Sequence, residues 1–158
     1  FETAGAWVIM SRADAVSGRL QQAFVPLLFL VAALAAAFAV GSLPLVALLG
    51  RRLVDRRTAL IATALVAGSW VFLFHGVYGR MYSIFLFLTL LAFFLLLRAL
   101  DRGTSRSWAP WCGPILLAVA AHPYGALVLA AQGSFVLVAR RDRLRRAAIA
   151  FAAVLAAL

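Results

Sequence analysis

WCGPILLAVAAHPYGALVLAAQGSFVLVA, residues 111–139, is an apolar run with a histidine and a proline at its centre. As one helix it would be about 43 Å long, against a bilayer core of about 30 Å. Proline disfavours helix at the residue before it and lacks a backbone donor, so His122-Pro123 is the natural place for a break. The flanking arginines decide between crossing once and turning back. Four lie in 51–57, three in 98–106 and five in 140–146, twelve of the fifteen in the chain. If 111–139 turns back at His122, all twelve share one face, with Arg12, Arg19 and Arg80 on the other. If it crosses once, the split is seven against eight. Only the first agrees with the enrichment of basic residues in cytoplasmic loops, so a broken hairpin, 111–121 and 124–139, is expected.

The wider composition points the same way. Apolar residues make up 66% of the 158 and charged residues 13%, with a mean hydropathy of +1.03. A soluble domain needs a more polar exterior. The class expected is all-α, a polytopic transmembrane helix bundle, multi-pass in a bacterial plasma membrane. The net charge of +10 comes from arginines gathered between apolar runs, so it argues for membrane topology and against a nucleic-acid partner. Cys112 is the sole cysteine, which excludes an internal disulfide and a thiolate metal cluster.

In chain order, residues 1–23 read as an extracytoplasmic interfacial segment or a surface loop, with Ser11-Arg-Ala-Asp14 a variant capping box. Residues 24–49 carry no charge and form one span kinked near Gly41 and Pro44, or two segments. Ala33, Ala37 and Gly41 offer a small-residue stripe for a neighbouring helix. Further spans are expected at 58–76 and 81–97, joined by a tight turn with Arg80 at its tip. The run 147–158 is too short to cross a bilayer, and the whole reads as a fragment of one transmembrane domain.

The polar groups inside this apolar chain are the candidates for chemistry. An arginine at the centre of a lipid-embedded helix costs about 2.5–3.5 kcal/mol, so Arg80 belongs at a surface or in a watery cavity. Its guanidinium suits a phosphate, and it serves equally as an interfacial anchor. Tyr82 follows at a helix start. His75 donates to a phosphate or to a backbone carbonyl. His122 and Tyr124 sit in a broken apolar segment, and such breaks line cavities. Glu2 is the carboxylate nearest this outer face apart from Asp14. There is no glycine-rich phosphate loop, no nucleophile elbow and no metal-ligand cluster.

The order LLGRRLVDRRTAL (48–60), YGRMY (78–82) and AHPYG (121–125), with spans and a Trp-containing loop between them, resembles the GT-C glycosyltransferases. The nearest branch is the bacterial group related to protein O-mannosyltransferases and lipid A aminoarabinose transferases. The likeness covers residues 45–140 well and 1–44 loosely. It implies a cell-envelope enzyme taking a sugar from a polyprenyl-phosphate donor, with membrane lipid as its surroundings and an acceptor the sequence does not identify. It further implies that Arg80, Tyr82, His122, Tyr124 and His75 lie around the donor phosphate. Glu2 takes the place of the glutamate in an outer acidic motif, Phe1 standing where its aspartate is expected. That carboxylate serves as base or ligates a divalent metal. The isolated fragment is expected to be inactive. Two other classes fit the broken helices, a transporter or permease and a non-catalytic membrane subunit.

Overall fold

A computed structural model describes the backbone of residues 2–77 and 81–158, and the side chains of residues 22, 24–74 and 81–158. Every regular element among them is helical: α1 (Glu2–Leu53), α2 (Arg56–Ala67), α3 (Trp70–Val77), α4 (Tyr82–Arg102), α5 (Ala109–Ala121), α6 (Gly125–Ala139) and α7 (Leu144–Ala157). Short 3₁₀ turns at Ser105–Ser107 and Arg141–Arg143 precede α5 and α7. Two helical segments are long and apolar enough to cross a membrane, Phe24–Leu53 and Tyr82–Arg102. Helix α6 is also apolar but shorter.

Residues 1–23 do not stand apart from the first apolar run. Helix α1 is continuous from Glu2 to Leu53, with Pro26 and Pro44 both inside it. Each proline removes one backbone donor, and the flanking Leu- and Ala-rich sequence carries the helix past both. The face that packs is Ala35, Ala39, Ser42, Leu45 and Leu49, all buried. The small-residue stripe is therefore displaced from the one expected, since Ala33 and Ala37 are exposed. Gly41 does lie against a neighbour: a Cβ there would come within 3.2 Å of the Phe87 ring. That ring pairs with Phe38 at 5.3 Å between centroids and so joins α1 to α4.

The chain reverses after α1 through Val54 and Asp55. Asp55 is extended, and its Oδ1 accepts hydrogen bonds from the amides of Arg57 (2.7 Å) and Thr58 (3.0 Å). Its Oδ2 accepts one from the Thr58 hydroxyl at 2.6 Å. These bonds satisfy the open donors at the start of α2. A close crossing follows, because a Cβ on Gly50 would lie 2.9 Å from the Ala59 Cα. The span expected at 58–76 is two helices: Gly68 ends α2, and Ser69 Oγ accepts from the Phe72 amide at 3.2 Å to open α3. Helix α4 runs five residues past the 81–97 expected, stopping at Gly103, whose φ of +64° closes the helix in the left-handed region.

Helices α5 and α6 are separate, with His122, Pro123 and Tyr124 between them. The core joins these two to α4 and α7 through Leu96, Leu100, Trp111, Ile115, Val136 and Val154. Trp111 is its centre. Its indole N–H donates to Gln132 Oε1 of α6 at 2.8 Å, and its ring lies 4.5 Å from that of Phe151 in α7. Burying the tryptophan N–H without that acceptor would cost about 1–3 kcal/mol.

The basic stretches meet at one end. Asp101, near the end of α4, pairs with Arg52 from the end of α1 and with Arg140 from the end of α6, the latter at 3.5 Å. Arg140 also donates to the Leu100 carbonyl at 3.2 Å, and Arg146 donates to that of Gly103.

The hydrogen bond from the Thr58 hydroxyl, followed by that from the Thr58 amide, holds the Asp55 carboxyl below its ordinary value of 3.8. A lowered folded-state pKa gives stabilisation that is complete above the unfolded value and lost as pH falls through the folded one. Amide-exchange protection at Arg57 and Thr58 should stay level from neutral pH down to about 4 and fall below it. Asp55→Asn should remove that dependence, which hydrogen exchange read by NMR would test.

Candidate functional site

The end opposite the arginines is built from the start of α4 and the α5–α6 break. At its C-cap, His122 leaves the helix with extended backbone (φ −156°, ψ 138°) while its N–H still bonds Ala118 O at 3.2 Å. A turn follows, with the Gly125 amide donating to His122 O at 2.8 Å and the Ala126 amide to Pro123 O at 3.2 Å. Gly125 is required there, because a Cβ would meet the Ala118 carbonyl oxygen at 2.6 Å. The imidazole folds back over its own turn, Nδ1 accepting from the Tyr124 amide at 3.1 Å. With Nδ1 occupied as an acceptor, the neutral ring carries its proton on Nε2 and presents a donor away from the turn.

Three rings surround that imidazole. Phe85 lies 5.1 Å away between centroids, Tyr82 5.7 Å and Tyr124 4.7 Å. Tyr82 and Phe85 stand one turn apart on α4, so this helix start and the α5–α6 break form one aromatic cluster. His122 is partly buried and Tyr124 is 63% exposed. The sequence-level candidates Tyr82, His122 and Tyr124 are thus adjacent. Arg80 lies outside the described residues. His75 falls in α3, with its side chain outside them as well.

Glu2 opens α1, and its side chain is likewise outside the described residues. Because α1 is unbroken, 37 residues of helix separate Glu2 from Ala39, about 55 Å along the axis. Ala39 is the α1 residue that shares a cavity wall with Tyr82, so the helix does not deliver Glu2 to this cluster. The described carboxylates Asp55, Asp101 and Asp142 all sit at the arginine-bearing end. Among the described residues no three His, Cys, Asp or Glu side chains come together as metal ligands.

One feature of this end escapes sequence reasoning. A cavity of about 270 Å³ lies where the α2–α3 break faces α1 and α4, lined by Ala39, Val66, Ser69, Phe72, Tyr82 and Leu86 among others. Its walls are mainly apolar, and Ser69, Tyr82 and Ser83 supply the polar edge. The pair Gly68-Ser69, a poor helix former followed by a good N-cap, is the signal that could have located it.

Comparison with family models, with curated proteins and with solved structures gave no match. The described residues are all-helical in their regular structure, with two helices long and apolar enough to cross a membrane and an aromatic cluster opposite an arginine-rich end.

An asparagine at 122 can place Oδ1 where Nδ1 now accepts, because Asn side chains bond the amide two residues on. His122→Asn should therefore keep the Tyr124 amide protected from exchange, whereas His122→Ala should speed its exchange severalfold. Equal exchange in the two variants would show that the imidazole does not hold the turn.

Proposed function

We propose that the chain is the donor-binding part of an integral-membrane glycosyltransferase of GT-C type. In this reading a multi-pass helical bundle in the plasma membrane moves a sugar from a polyprenyl-phosphate carrier to an acceptor at the extracytoplasmic face. One observation carries it: Tyr82, Phe85, His122 and Tyr124 gather at the end opposite the basic loops, beside an apolar cavity. Basic loops mark the cytoplasmic side, which puts the aromatic cluster outside. An apolar cavity with a hydroxyl-bearing rim matches a ligand that is a hydrocarbon with a phosphate at one end.

The chemistry follows from these groups. The acceptor hydroxyl attacks the anomeric carbon, the bond from that carbon to the phosphate oxygen breaks, and polyprenyl phosphate leaves with the electron pair. Donors already aimed at the departing oxygen stabilise its growing charge. The His122 Nε2–H and the Tyr82 hydroxyl serve as donors, and Arg80 supplies a permanent cation two residues before Tyr82. The hydroxyl proton passes to a general base. The family resemblance assigns that step to Glu2, but the unbroken α1 holds Glu2 away from this cluster, so the base comes from another group.

In the membrane-embedded protein, Arg80→Ala should lower transfer from lipid-linked sugar by about 10²–10³. Tyr82→Phe should lower it less, and Arg56→Gln, at the opposite end, should leave it unchanged. Undiminished transfer by the Arg80 variant would reject the assignment. The two helix breaks, at Gly68-Ser69 and at His122-Pro123, also support a transporter reading. Solute flux into proteoliposomes without any sugar transfer would favour that alternative.

A further inference from the structure

The arginine-bearing end carries a second feature that the transferase reading does not use. A cavity of about 610 Å³ is lined by Ser105, Asp142, Arg143, Arg145, Arg146 and Ile149. Three guanidinium groups face it against one carboxylate. That carboxylate is already engaged, accepting from Arg140 at 3.3 Å and pairing with Arg143 at 3.0 Å. Arg146 holds the Gly103 carbonyl. Arg145 is exposed and makes no ion pair or hydrogen bond among the described residues. The cavity therefore has a cationic excess with one guanidinium uncommitted, a surrounding that suits a phosphate.

A groove of about 220 Å³ shares Ser105, Arg146 and Ile149 with this cavity and continues along α5 and α7 past Trp108, Cys112 and Ala153. Its lining is largely apolar. Trp108 is 4% exposed, and its indole N–H has no hydrogen-bond partner among the described residues. The Trp108 side chain forms part of the wall where the cationic pocket gives way to an apolar groove, its N–H itself buried.

We infer that this end binds an anionic phospholipid, its phosphate among Arg143, Arg145 and Arg146 and one acyl chain in the groove between α5 and α7. A free phosphate would use the arginines and leave the groove unmatched. Basic pockets between helices on the cytoplasmic side recognise headgroups in this manner. The inference requires this end to meet a headgroup layer and is independent of any sugar transfer at the other.

Native mass spectrometry of the detergent-purified protein tests it, with phosphatidylglycerol and phosphatidylcholine as probes and inorganic phosphate as competitor. Phosphatidylglycerol should be retained in preference to phosphatidylcholine. Arg145→Gln should cut that retention about fivefold, while Arg56→Gln, an equal loss of charge on the same face, should not. Ile149→Trp, which fills the groove, should also release the lipid while helicity by circular dichroism is kept. Equal retention of the two lipids, or equal losses in the Arg145 and Arg56 variants, would overturn the site. Displacement by inorganic phosphate together with normal lipid retention by Ile149→Trp would identify a free-anion site and overturn the lipid assignment.

Discussion

The carboxylate of Asp101 is the point to which the rest of the arrangement is referred. It stands near the end of α4 and takes Arg52 from the end of α1 and Arg140 from the end of α6. Each pair is solvent-facing and individually weak, about 0–1 kcal/mol. Their importance is geometric. Three segments remote in sequence are held at one end, so α4 begins, and α5 turns into α6, at the other. The meeting of Tyr82 with His122 is the far-end consequence of that registration.

Between the two ends, packing is divided. Helix α1 meets α2 and α4 through small residues and one aromatic pair, Gly50 against Ala59 and Phe38 beside Phe87. The second half closes around Trp111, which reaches α6 by a hydrogen bond and α7 by ring contact. Gln132 accepts that bond while its own buried amide nitrogen has no partner. In an apolar interior a single satisfied polar pair fixes the rotation of two helices better than interchangeable Leu and Ala contacts do, because misalignment strands both groups.

Much of this architecture is legible in the residues. The all-helical class follows from long apolar runs separated by arginines, and Pro123 marks the α5–α6 break because proline has no amide to continue a helix. The α2–α3 break is harder to see. Gly68 and Ser69 are both tolerated within apolar helices, and only tertiary surroundings decide whether such a pair bends the chain or ends a helix. The continuity of α1 through Pro26 and Pro44 is hidden for the opposite reason, since propensity says break and the flanking sequence overrides it. At the candidate site, Tyr82 and His122 lie forty residues apart. Their contact depends on helix lengths on both sides, which composition does not specify to within a turn.

The stretch Phe24–Val31 of α1 has a further consequence. Every side chain there is exposed, and the large apolar ones reach 73% at Phe29. A helix bare on one stripe selects a partner and a rotational setting. One that is apolar around its whole circumference selects neither, and it is best accommodated by a medium that encircles it. Lipid chains would do so without imposing an azimuth, so the rotational setting of this part of α1 is the one dictated by its packed face from Ala35 to Leu49.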